Sequence, residues 1–184
     1  MITLIIILIV VAVIVLYLIS AYNNFVKLNN KIKEAFATMD VYLKKRYDLI
    51  PNLVETVKGY AKHEQGTLEK VISARNMAMN ASSVGDKIEG ENVLSGTLKS
   101  LFALSESYPD LKANENFVSL QNDLNRMEEE IASSRKYYNA IVNTFNTKTE
   151  VFPTNIIANM FGFSAKPLFE VNSEEERENV KVEF

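Results

Sequence analysis

Residues 2–21, ITLIIILIVVAVIVLYLISA, carry no charged side chain and only Thr3 and Ser20 as small polar ones. As a helix this run is about 30 Å long, the thickness of a bilayer's hydrocarbon. A cleaved signal peptide would need a basic leading segment and a shorter apolar core of about 7–15 residues. Neither is present, and Ile19 with Ala21 makes a poor cleavage site. The run is therefore read as a retained transmembrane anchor, residues 1–21, with Tyr17 and Tyr22 as an interfacial aromatic pair. Nothing basic precedes it except the terminal amine, whereas Lys27, Lys31 and Lys33 follow closely. The positive-inside rule then predicts an N terminus outside and a cytoplasmic C-terminal domain, with these three lysines at the lipid headgroups.

Behind the anchor, apolar residues recur at Leu28, Ile32, Phe36, Met39, Leu43, Tyr47, Ile50, Val54, Val57 and Ala61, in steps of three and four. That spacing is one helical stripe. Lys31, Lys33, Glu34, Lys44, Lys45, Glu55 and Lys58 fall between, so the other face is wet. The mean step of roughly 3.7 residues predicts bundle packing rather than a long two-stranded coiled coil. Pro51 removes a backbone donor and crowds the carbonyl of Tyr47; because the stripe passes through it in phase, a kink is expected there rather than a break. Leu68, Val71, Ile72, Arg75 and Met79 keep the spacing, which carries the helix to about Asn80.

The expected order thereafter is a Ser- and Gly-rich loop at 81–90, a second helix from Glu91 to about Ser107, and a stop at Tyr108-Pro109-Asp110. Asn114 reads as an N-cap for a third helix reaching about Lys148. A short fourth helix, Asn155 to Phe161, ends at Gly162 as a left-handed C-terminal residue. Phe163, Leu168 and Phe169 are expected to form a lid over one end. The fold class is all-α: a transmembrane helix, then an antiparallel bundle of three long helices and a short fourth over residues 22–170, with an acidic tail at 171–184.

Chemistry is sparse. There is no Cys and one His, which excludes disulfides, thiolate metal sites and a Cys nucleophile. His63, in KHEQG, is expected on a helix surface, since position 67 is Thr and the HExxH pattern is missing. No phosphate-binding glycine loop or nucleophile elbow occurs, so no catalytic, cofactor or metal residue is assigned and no cofactor is expected.

Net charge is −3, too small to imply nucleic acid. Its distribution is uneven: residues 22–80 hold ten Lys or Arg against six Asp or Glu, and residues 81–184 hold ten against seventeen. Antiparallel helices could complement one another within a molecule, or the basic half of one molecule could meet the acidic half of another. The compact clusters are Lys44, Lys45 and Arg46 with Asp48, and Asp123 with Glu128, Glu129 and Glu130. They form the candidate interaction surface.

The run YNNFVKLNNKIKEAFATMDVYLKKRYDLIPNLVETVKGYAKHEQGTLEKVISAR, preceded by the anchor, resembles the opening of the bacterial LemA family. NFVSLQNDLNRMEEEIASSRKYYNAIVNTFN and FPTNIIANMFGF resemble its two later blocks, in the same order. The resemblance implies an antiparallel bundle on one N-terminal span with the N terminus outside. It implies no established enzymatic activity, and for some members a link to specialised membrane compartments. Lys44, Arg46, Tyr47, Asp48, Pro51, Asn52 and Glu55 stand at hallmark positions without a known chemical role, and Phe36 stands where members often carry Trp. No counterpart is recognised for the tail after Val171. The reading is a non-enzymatic, self-assembling membrane scaffold whose partners are the bilayer and further copies of itself. The alternative is a membrane-tethered adaptor holding another membrane or cytoplasmic protein without self-assembly.

Overall fold

The computed structural model describes residues 1–170; the acidic tail lies outside the described residues. Six helices follow one another: α1 (Ile2–Tyr60), α2 (Gln65–Met79), α3 (Val84–Ser105), α4 (Pro109–Lys112), α5 (Glu115–Glu150) and α6 (Thr154–Phe161). No strand occurs among the described residues, and the chain is all-α. The residues form two compact units, one of 1–40 with 132–168 and one of 41–131 with Phe169 and Glu170.

In the first unit α1 and α5 run antiparallel. Phe25 meets Phe145 edge-on at 5.6 Å and Phe36 meets Tyr138 at 5.9 Å between ring centroids, so numbers rise on one helix as they fall on the other. Phe163 stacks on Phe25 at 4.9 Å. The segment that follows is clasped to α5 by Asn146, whose Nδ2 donates to the Lys166 carbonyl and whose Oδ1 accepts from the Lys166 N–H, at 2.9 and 2.8 Å. The Tyr138 hydroxyl donates to the Pro167 carbonyl at 3.1 Å, and burial raises the pKa of that phenol. Of the three residues expected to form a lid, Phe163 and Leu168 belong to this unit, whereas Phe169 is buried in the other.

In the second unit α1 ends at Tyr60 and the chain reverses through residues 61–64 into α2, so the expected helix to Asn80 is two helices. Ala61 and Leu68, both buried, are seven residues apart. Seven residues are about two helical turns, so the apolar phase survives the reversal and periodicity is blind to it. His63 consequently sits in this turn, exposed, and not on a helix. Glu64 is held by the Tyr108 hydroxyl at 3.0 Å. That hydrogen bond is the main reason the Tyr108 pKa is raised above its usual 10.0. Tyr108-Pro109 ends α3 as expected, and the next residues form the single turn α4.

The loop expected at 81–90 is also shorter. Ser83 caps α3 by accepting from the Asp86 N–H at 3.0 Å, and the helix starts at Val84. Its glycines are therefore helical, and Gly90 has a packing role: a Cβ there would lie 2.7 Å from the Ala78 Cα on α2. Asn114 caps α5 as expected, accepting from the Phe117 N–H at 3.0 Å. Gly162 ends α6 at φ +73°.

Gly96 lies in α3 with open space where a Cβ would point. Gly96→Ala is therefore expected to stabilise the protein by about 0.5–1 kcal/mol. Gly90→Ala is expected to cost about 1–3 kcal/mol through overpacking, against the helix propensity it gains. Thermal unfolding of the two variants, followed by circular dichroism in detergent, should shift in opposite directions.

Candidate functional site

The core of the second unit contains a guanidinium. Arg46 is 1 % exposed and Glu91 on α3 is 4 % exposed. Both lie in phase with apolar neighbours: Met39, Leu43, Arg46, Ile50, Leu53 and Val57 on α1, and Glu91, Leu94, Leu98, Leu101 and Ser105 on α3, each in steps of three and four. Arg46 Nη2 pairs with Glu91 Oε2 and Nη1 pairs with Glu128 Oε1 on α5. Ser95 Oγ accepts a further bond from Nη1 at 3.3 Å. The Tyr47 hydroxyl donates to the other oxygen of Glu91. Among the described residues the Arg46 Nε–H has no hydrogen-bond partner. One cation thus holds carboxylates from two other helices, and each oxygen of Glu91 receives its own donor. Side chains placed in this way join helices, and the fork geometry of arginine fixes where they meet.

The next residue in the block solves a different problem. A helical Pro51 cannot donate to the carbonyl of Tyr47, yet α1 passes through it without a break, as the sequence leads one to expect. Arg75 Nε on α2 donates to that carbonyl at 2.8 Å. The side chain of a neighbouring helix replaces the missing backbone bond. Arg46, Tyr47 and Pro51, three of the hallmark positions, thereby acquire structural roles that spacing alone did not reveal.

The structure divides the candidate interaction residues. Arg46 is not a surface residue: Glu91 and Glu128 hold it in the core. Glu128 is half-buried against it, with 43 % of its side chain exposed. Asp123 is half-buried and pairs along its own helix with Arg126 at 2.9 Å. Lys44, Lys45, Asp48, Glu129 and Glu130 are exposed, with Lys45 Nζ over the Tyr42 ring at 5.5 Å. Lys27, Lys31 and Lys33 are exposed on α1 in the first unit. Sequence reasoning missed Glu91, Ser95 and Arg75 as partners. The available signal was a charged residue in phase with an apolar stripe, at Arg46 and again at Glu91.

A separate groove of about 770 Å³ lies between the last turns of α1 and the length of α2 from Gln65 to Asn76. Val54, Ala61, Leu68 and Ile72 give it an apolar floor, and Lys58 and Glu69 stand among its charged flanks.

These features describe an all-helical protein with one N-terminal helix apolar enough to cross a membrane and a polar cluster that joins helices inside the bundle. The chain belongs to the LemA family, whose model matches residues 35–184. The match covers the tail, for which sequence reading recognised no counterpart, and leaves out the apolar run and the residues up to Glu34. The chain is 26% identical to Protein LemA of Metamycoplasma hominis over 86% of its own length and 72% of that protein's. It is 24% identical to magnetosome protein MamQ 2 of Paramagnetospirillum magneticum, over 83% of this chain and 66% of that one. With magnetosome protein MamQ of Magnetospirillum gryphiswaldense the identity is 24%, over 83% and 65%. The chain thus spans just under two thirds of the magnetosome relatives. None of these names is that of an enzyme.

Removing one partner of a buried ion pair leaves the other uncompensated, at about 3–5 kcal/mol. Arg46→Met alone should therefore lower the unfolding temperature strongly, and Arg46→Met combined with Glu91→Leu should recover much of the loss; a double variant no better than the single one would refute the pairing. Arg75→Met strips the Tyr47 carbonyl of its donor and should cost about 1–3 kcal/mol. In a Pro51→Ala background that cost should shrink, because alanine at this position supplies the helical N–H that proline lacks. A double-mutant cycle with no coupling would refute the replacement.

Proposed function

We propose that this protein is a non-enzymatic membrane-anchored scaffold that assembles with copies of itself and helps to organise a membrane or envelope. Residues 2–21 span the bilayer, the N terminus lies outside, and the bundle lies in the cytoplasm with Lys27, Lys31 and Lys33 near the headgroups. The observation that carries the reading is the unbroken α1, which bears both the span-length apolar run and Arg46. An anchor joined to its bundle by helix, with no linker, suits a protein that presents a fixed surface beside the membrane. That the magnetosome relatives do not bear an enzyme's name supports the non-enzymatic part of this reading.

With Arg46 and Glu128 paired inside the chain, the surface for self-association narrows to Lys44, Lys45 and Asp48 on α1 and Glu129 and Glu130 on α5. Ion pairs between exposed groups are weak one at a time. Assembly through them therefore depends on several contacts repeated along a membrane and weakens with salt. The adaptor reading draws on the groove between α1 and α2, whose apolar floor and charged flanks suit an amphipathic helix of another protein.

Light scattering of the full chain in mild detergent, with the detergent mass subtracted, decides between them. A defined multiple of the 20.8 kDa chain that falls apart on charge reversal at Lys44 and Lys45 alone, and re-forms when Glu129 and Glu130 are reversed as well, is the expected result. A monomer co-purifying with a stoichiometric foreign protein would replace the scaffold with the adaptor. A reporter active only in the cytoplasm, fused after Phe184, should be active; silence would invert the orientation.

A further inference from the structure

Helix α6 is apolar on two sides. Ile157 and Ala158 are buried against the first unit, whereas Ile156 and Met160 are 52 % and 61 % exposed, and Phe152, in the turn just before the helix, is 79 % exposed. A four-residue step places Ile156 and Met160 on one face of the helix, and Phe152 lies outside it, exposed in the turn that leads in. An exposed apolar cluster of this kind marks a surface with a partner.

The position of α6 says which partner. Thr154, at its start, lines a small cleft with Tyr17, Ser20, Asn24 and Lys148. Phe161, at its end, packs on Tyr22 at 4.8 Å. Both ends of the helix therefore meet α1 within residues 17–24, where the span-length run gives way to polar sequence. That is also the stretch of α1 in which the exposed aliphatic side chains of the run end, at Ile19. Lys148 stands beside Tyr17 in the same cleft, a cation at the level where anionic headgroups would lie.

We propose that α6 is an interfacial membrane helix: Phe152, Ile156 and Met160 insert into the headgroup and acyl boundary of the same leaflet that residues 2–21 leave. The inference rests on the reading of residues 2–21 as a span. An eight-residue helix buries too little apolar area to hold a membrane by itself. Fixed to the end of a span it does not need to, because the anchor keeps it at the surface at high effective concentration. The chain then touches the bilayer at two places, and the second contact restricts rotation of the first unit about the span.

The chain contains no Trp, so single tryptophans report without background. Met160→Trp and Ile156→Trp place a reporter on the proposed face, Leu8→Trp places one in the span, and Tyr137→Trp places one at an exposed position of α5. Each full-length variant is reconstituted into phosphatidylcholine and phosphatidylglycerol vesicles with acyl chains brominated near the glycerol end. The expected result is a blue-shifted emission for both α6 reporters relative to Tyr137→Trp, with loss of intensity in brominated lipid. Emission like that of Tyr137→Trp, together with quenching of Leu8→Trp in lipid brominated deeper in the chain, overturns the proposal and leaves the span intact. A blue shift without quenching shows a protein neighbour, such as a second copy, and also overturns it. If Leu8→Trp is quenched by neither lipid, the span itself falls and the interfacial helix with it.

Discussion

A guanidinium in a helical core is tolerated only if anions reach it, because the charge must otherwise leave water uncompensated. Arg46 imposes that condition on its whole unit. It fixes where α3 and α5 lie along α1, since Glu91 and Glu128 must arrive at one level. Ala78 and Gly90 help to satisfy it. The absent side chain at Gly90 lets α3 approach the backbone of α2, and the next residue is Glu91. A substitution that pushes α3 outward therefore acts on packing and on the ion pair together. The net gain from such a cluster over an apolar core is small or negative, so its consequence lies more in specifying one register than in adding stability.

The turn after α1 depends on the same neighbourhood. Arg75 can reach the Tyr47 carbonyl only because α2 folds back, and the helical N–H that would bond this carbonyl is the one Pro51 lacks. Consecutive residues of one block thus tie α1 to three helices: Arg46 to α3 and α5, Tyr47 through its hydroxyl to α3 and through its carbonyl to α2. The first unit is held differently. Its interior is aromatic, with Phe25, Phe145 and Phe163 in mutual contact, and its extended segment is secured by a side-chain amide and not by charge. The charged cluster sits in the unit without the span-length run, and the exposed apolar surface sits in the unit that carries it.

The unequal charge of the two halves looks different in this light. Part of it is consumed inside the molecule, where α1 supplies the cation and α3 and α5 the carboxylates. What stays outside is smaller and sits on exposed side chains, where single pairs contribute little. An assembly built on them is therefore reversible and salt-sensitive, whereas the apolar face of α6 is suited to a permanent contact.

The sequence by itself determined the all-α class, the span-length apolar run, the caps at Asn114 and Gly162 and the continuity of α1 through Pro51. Each rests on local chemistry: hydropathy over a window, a side chain that bonds its own backbone, a phase that does not slip. Tertiary structure decided the reversal at residues 61–64, the helical state of Gly85 and Gly90, and the burial of Arg46. The reversal is invisible because Ala61 and Leu68 keep phase across it. Gly90 reads as a breaker until Ala78 stands 2.7 Å from where its Cβ would be. Arg46 was grouped with Lys44 and Lys45 because charge is legible residue by residue. Which charge goes inside depends on anions 45 and 82 residues away, and only the folded chain brings those together.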